Sequence, residues 1–74
     1  MSFLPHISGR EAVDALCRLG YEFDRQRGSH MVLRRRNPPH RRVVVPDHTE
    51  LAKGTLRAII REAGLTVAEF RAAL

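Results

Sequence analysis

The sequence predicts an α+β domain in which helices pack on one face of a small three-stranded antiparallel sheet. Capping boxes open apolar helical stripes near both ends of the chain, and three short strand-like runs lie between them. A length of 74 residues leaves room for one small core only.

Ser8-Gly9-Arg10-Glu11 is the first capping box. The Ser8 hydroxyl can accept from the Glu11 amide, and the Glu11 carboxylate from the Ser8 amide. Ala12, Val13, Leu16, Cys17 and Leu19 follow at helical spacing and predict an amphipathic helix over residues 9–19. Gly20 is placed to end it in the left-handed region.

Tyr21-Glu22-Phe23-Asp24-Arg25-Gln26 opens with the alternation of a half-buried strand. Arg27-Gly28-Ser29 is a turn, and His30-Met31-Val32-Leu33-Arg34-Arg35 is a second strand. Asn37-Pro38-Pro39-His40 breaks it, since proline cannot continue a ladder. Arg41-Arg42-Val43-Val44-Val45 is a third strand, stopped by Pro46. Short turns between strands imply an antiparallel meander.

Pro46 to Glu50 reads as loop, and Leu51 to Gly54 fits loop or helix equally. From Thr55, the stripe Leu56, Ile59, Ile60 and Ala63 predicts another helix, closed by Gly64. Thr66-Val67-Ala68-Glu69 is a second capping box and opens a short helix bearing Val67, Phe70 and Leu74. One sheet face is the natural place to bury these stripes. Val13, Leu16, Phe23, Leu56, Ile59 and Ile60 are therefore expected to be buried together. The α-β-β-β-α order, with a short extra C-terminal helix, is that of a double-stranded-RNA-binding domain. No linker or repeat divides the chain, so residues 1–74 are read as one domain.

Size and composition exclude several classes. A chain this small encloses no deep pocket and no large cofactor-binding fold, and no cofactor is expected. Cys17 is the single cysteine and cannot form an internal disulfide, which fits a reducing compartment. No apolar run approaches the ~18 residues of a membrane span. Met1-Ser2-Phe3-Leu4-Pro5-His6 lacks the basic and hydrophobic regions of a signal peptide. A soluble cytoplasmic protein is expected.

The charge is segregated. Lys+Arg number 13 against 8 Asp+Glu, a net charge of +5, and Lys53 is the one lysine. Arg25, Arg27, Arg34, Arg35, Arg36, Arg41 and Arg42 fall between residues 25 and 42 with no acid among them. Such a block points to a polyanion or an acidic protein partner. Arginine's planar fork also suits phosphate better than a lysine point charge. The plainer alternative is that arginine stems solvate an exposed hairpin. The helices lack a basic face for reading a DNA major groove. Arg25, Arg27, Arg34, Arg35, Arg36, Arg41, Arg42 and Lys53 form the expected RNA-binding set.

The histidines differ in setting. His6 lies near the terminus and His40 beside two prolines, and neither is given a role. His30 begins the second strand inside the basic block, and His48 follows the third strand. In an antiparallel meander these points share one end of the sheet, so register decides whether the two are neighbours. If Met31 and Leu33 face the helices, then His30, Val32 and Arg34 face outward. If Val32 is core, His30 escapes burial only by starting the strand. A lone histidine in a basic strand is also commonly structural.

RNA cleaves when its 2′-OH attacks the adjacent phosphate. A protein need only move protons and stabilise the phosphorane-like charge. Histidine, with an ordinary pKa near ~6.5, suits both proton removal and return. Metal-assisted hydrolysis needs converging carboxylates, yet only Asp47 and Glu50 are close in sequence. One cysteine and scattered histidines match no zinc pattern, so no metal site is expected. Cys17 falls on the core face of its helix, which argues against a nucleophile.

Leu16-x-x-Leu19-Gly20-Tyr21, Gly28-Ser29-His30, Val43-Val44-Val45-Pro46-Asp47-His48, Lys53-Gly54-Thr55-Leu56-Arg57-x-Ile59 and Ala63-Gly64-Leu65 follow one another along nearly the whole chain. In that order and spacing the sequence resembles the HicA (YcfA-like) family of toxin–antitoxin toxins. The resemblance implies a double-stranded-RNA-binding-like fold, ribonuclease activity against mRNA and inhibition by a HicB-type antitoxin. The family's catalytic histidine matches His30, and its glycine and serine match Gly28 and Ser29. Gly28 permits close approach or positive φ. Ser29 either donates to a phosphate or shapes the turn. His48 joins them as a supporting residue. Asn37-Pro38-Pro39-His40 is longer and richer in proline than the family's usual turn. A non-catalytic RNA-binding module is the alternative; it would need the basic block but not His30. The free toxin is expected as a monomer or weak dimer, with the antitoxin covering the basic face and His30.

Overall fold

Both predicted capping boxes close around their helices. The Glu11 amide donates to the Ser8 hydroxyl at 3.0 Å, and the Ser8 amide donates to the Glu11 carboxylate at 2.9 Å. Thr66 and Glu69 repeat the exchange at 3.1 and 2.8 Å. The structure, a computed structural model, describes residues 4–74. Its elements are α1 (Gly9–Arg18), β1 (Tyr21–Arg27), β2 (His30–Arg35), β3 (Arg42–Pro46), α2 (Lys53–Glu62) and α3 (Val67–Ala72). The sheet is antiparallel in the order β1-β2-β3. This is the predicted double-stranded-RNA-binding-like α+β arrangement. The expectation about a leader peptide falls partly on Met1-Ser2-Phe3, outside the described residues. Among the described residues, no helix is long and apolar enough to cross a membrane.

Gly20 and Gly64 end α1 and α2 at φ 101° and 74°, the left-handed region that favours glycine. α2 starts at Lys53, two residues before the predicted Thr55, because Ala52 serves as N-cap without a side-chain hydrogen bond. The ambiguous stretch is thus resolved: Leu51 is buried and Lys53-Gly54 is helical.

Register decides the faces of the sheet. Met31 pairs with Val45 and Leu33 with Val43, and all four are core residues. Residues paired across an antiparallel ladder share a face. His30, Val32 and Arg34 therefore lie on the opposite, open face. Val32 is only 7% exposed, yet it does not belong to the core cluster. Its neighbours on the open face are Arg25 and Val44.

β1 changes phase midway. Phe23 pairs with Leu33, but the next pair is Arg25 with Val32, leaving Asp24 as the extra residue of a bulge. Before the bulge, Tyr21 and Phe23 lie on the helix side. After it, Gln26 does, opposite Met31, while Arg25 and Arg27 turn to the open face opposite Val32 and His30. A regular strand would have sent both arginines inward.

Leu16, Leu33, Val43, Leu56, Tyr21 and Phe70 are almost fully buried, and Val13, Ile59 and Ile60 join them. Phe23 is the exception to the predicted core, at 48% exposed. It lies on the expected side, but β1 is an edge strand and the ring stays open to solvent. The ring instead lines a groove of about 380 Å³ with Arg10, Val13, Asp14, Gln26 and Met31. Tyr21, at the head of the strand, is covered and donates from its hydroxyl to the Ala63 carbonyl at 2.9 Å.

The segment before α1 is part of the core. Leu4 and Ile7 are buried, and the Leu51 amide donates to the Ile7 carbonyl at 2.8 Å. Arg18 reaches the Ala73 carbonyl at 2.9 Å and so joins α1 to the end of α3.

Candidate active-site turn and nucleic-acid interface

The β1–β2 connection is the two-residue turn Gly28-Ser29, with Arg27 and His30 paired at its base. Gly28 has φ 58°, a left-handed conformation that glycine adopts without a Cβ penalty. His30 is exposed at the first position of β2, opposite Arg27 on one side and Pro46 on the other. The Ser29 carbonyl accepts from the Asp47 amide at 2.6 Å, which extends the β2–β3 ladder into the turn.

On the open face the side chains form three cross-strand rows. Arg27, His30 and Pro46 make the first, Arg25, Val32 and Val44 the second, and Glu22, Arg34 and Arg42 the third. Val44 is 42% exposed in the middle of this surface. Four arginines thus share a face with His30.

The remaining members of the expected RNA-binding set lie elsewhere. Arg41 donates to the Glu62 carbonyl at 2.9 Å and caps the end of α2. Arg35 sits opposite Tyr21 at the helix-side margin of the sheet. Arg36 approaches Glu22 at 3.8 Å, and Arg25 approaches Asp24 at the same distance. Acids of β1 therefore offset part of a block that contains none. Lys53 is exposed at the first position of α2.

His30 and His48 flank the same end of the sheet, as the meander requires. His48 stands two residues past Pro46, the partner of His30, and its carbonyl accepts from the Gly9 amide at 2.9 Å. His40 is exposed, its ring 3.1 Å from the Arg35 carbonyl, and His6 lies 3.4 Å from Glu50. Cys17 packs partly buried against the core. No three His, Cys, Asp or Glu side chains converge as a metal-ligand group among the described residues.

Sequence reasoning missed the bracing behind the turn. Arg10 on α1 donates twice to the Asp47 carboxylate, Nε to Oδ1 and Nη2 to Oδ2, both at 3.1 Å. Gln26 on β1 donates to Asp47 Oδ2 at 3.0 Å and to the Gly28 carbonyl at 3.0 Å. Asp47 is held below the usual carboxylate range, first by the Arg10 hydrogen bond and then by that from Gln26. The only sequence signal was an acid placed between Pro46 and His48.

The fold, the Gly28-Ser29-His30 turn and the Pro46-Asp47-His48 exit can now be set beside known families. The family model described as the HicA toxin of bacterial toxin–antitoxin matches residues 9–65. The chain belongs to the HicA toxin family. The match runs from the first residue of α1 to just past Gly64, so it includes the whole sheet, the turn and the braces. A search of curated proteins finds no match to the chain. As a HicA-family toxin it is one half of a toxin–antitoxin system and has a cognate antitoxin as partner.

Proposed function

We propose that this HicA-family toxin is a metal-independent endoribonuclease that cleaves mRNA, with His30 moving the protons. The observation that carries this reading is the exposure of His30 on the open sheet face, opposite Arg27 and alongside Arg25, Arg34 and Arg42. It supports a site in which an imidazole, able both to take and to give a proton, stands among fixed cations.

The arginines hold RNA by its phosphates, largely without sequence readout. His30 takes the proton from a 2′-OH, whose oxygen then attacks the adjacent phosphorus. The bond from phosphorus to the 5′-oxygen breaks, and the imidazolium returns the proton to that oxygen. The products are a 2′,3′-cyclic phosphate and a 5′-hydroxyl. Guanidinium groups stabilise the charge on the non-bridging oxygens. A HicB-type antitoxin inhibits by presenting carboxylates to the same arginines and covering His30.

The test is RNA cleavage by the purified chain in EDTA, compared with His30→Ala. Removing a general acid–base group is expected to lower the rate by about 10²–10⁴-fold. The fold should stay intact, because the His30 side chain is exposed. Full activity in His30→Ala, or loss of wild-type activity in EDTA, overturns the mechanism. RNA binding by the wild type without cleavage would leave a non-catalytic RNA-binding module.

A further inference from the structure

We infer that Asp47 is a positioning residue for His30: its carboxylate ties α1 and β1 together behind the Gly28-Ser29 turn and so fixes where the imidazole stands. The inference rests on the reading of His30 as the proton-transfer group.

The turn has few supports of its own. Ser29 and His30 are exposed, and a Cβ placed on Gly28 would meet nothing within 4 Å. Packing therefore does not hold the turn, and hydrogen bonds must. Beyond the ladder pairs of Arg27 with His30 and of His30 with Pro46 at its base, those that reach it converge on Asp47. Its amide donates to the Ser29 carbonyl, and its carboxylate accepts from Gln26, which also donates to the Gly28 carbonyl. Arg10 grips both carboxylate oxygens from α1. A two-pronged guanidinium–carboxylate pair fixes orientation as well as distance. The Asp47 side chain is 21% exposed while that of Arg10 is 74% exposed, so the carboxylate is the sheltered end of the pair.

The chemistry gives this brace a purpose. A proton-transfer group works only within hydrogen-bond reach of the atom it serves. A displacement of about 1 Å can cost on the order of 10²-fold in rate. Asp47 approaches His30 through the backbone of Ser29 and has no need to touch RNA. Its effect should thus appear in kcat rather than in KM.

The experiment compares wild type, Asp47→Asn and the double variant Asp47→Asn/Arg10→Ala by amide relaxation and by steady-state cleavage. In wild type the Gly28, Ser29 and His30 amides should show order parameters near ~0.85, falling toward ~0.6 in Asp47→Asn. Core amides of α2 and β3 should keep wild-type values, and unfolding should stay cooperative. The kcat of Asp47→Asn should drop roughly 10- to 100-fold with KM unchanged. The double variant should lose little more, because one brace is broken twice. Turn amides as rigid in Asp47→Asn as in wild type would overturn the inference. So would a mobile turn with unchanged kcat, or a loss confined to KM. If wild type cleaves no RNA, the ribonuclease reading fails, and the relaxation data alone decide whether Asp47 holds the turn.

Discussion

Arg34 stands directly opposite Arg42 across β2 and β3, with both side chains on the open face of the sheet. Like charges in that position oppose pairing by about 0.2–1 kcal/mol. Folding alone does not favour this arrangement, whereas a phosphate or carboxylate laid between the two would relieve it.

Arg42→Thr should therefore raise the stability of the free chain by up to about 1 kcal/mol while weakening RNA binding. The slope of log affinity against log salt should shrink by roughly one. Arg41→Ala should do the reverse. It removes the donor to the Glu62 carbonyl at the end of α2, so stability falls while the salt slope holds. Urea denaturation and salt-titrated binding of both variants check this, and an unchanged slope in Arg42→Thr would move the RNA surface elsewhere.

Two glycine replacements should have opposite signs. A Cβ on Gly9 would overlap the Pro46 carbonyl oxygen, which is backbone and cannot swing aside. Gly9→Ala should cost about 1–3 kcal/mol, the range for forced overpacking. Gly54 lies inside α2 with nothing within 4 Å of such a carbon, so Gly54→Ala should add about 0.5–1 kcal/mol. Thermal and urea unfolding of the pair decide the matter.

Acid should act through two carboxylates. Asp47 is held low chiefly by Arg10, and Glu69 by the hydrogen bonds from Thr66, backbone first. Both groups bind their protons less readily folded than unfolded. Their contribution is complete above the unfolded carboxylate values near ~4 and is lost as pH falls through the lower folded values. Stability measured from neutral pH downward should fall below about pH 4. Asp47→Asn and Glu69→Gln should each flatten that fall, and wild type and variants should converge at the acid end. A constant offset at every pH would contradict the assignment.

RNA and antitoxin should exclude one another. If both use the rows around His30, titrating them together against the His30→Ala variant should give competition and no ternary complex. Both associations should weaken with salt, RNA more steeply because its backbone releases condensed counterions. RNA bound at unchanged affinity alongside the antitoxin would place inhibition at a remote surface.

What was legible in the sequence was local. Ser8 with Glu11, Thr66 with Glu69, and the stops at Gly20 and Gly64 each act within a few residues, and each is present in the fold. His30 could be placed at a strand start for the same reason. Phe23 shows the limit of that reading, because alternation assigns a side chain to a face but says nothing about whether a neighbour covers it. The contact between Gly9 and Pro46 and the convergence of Arg10 and Gln26 on Asp47 join distant parts of the chain, and no spacing rule announces them. The phase change at Asp24 carries no glycine or other local mark.

That unmarked residue makes β1 tolerant at its own middle. Asp24 is exposed, and its nearest ionic contact is its own neighbour Arg25, so many side chains should be tolerated there. Deleting it should be tolerated as well: with Asp24 gone, plain alternation from Phe23 pairs Arg25 with Val32, Gln26 with Met31 and Arg27 with His30, the partners they have now. What the extra residue adds is the local bend and twist of a bulge rather than the facing of the arginines. Homologous or engineered chains can then differ by one residue between Tyr21 and the glycine of the turn and still present the same open face.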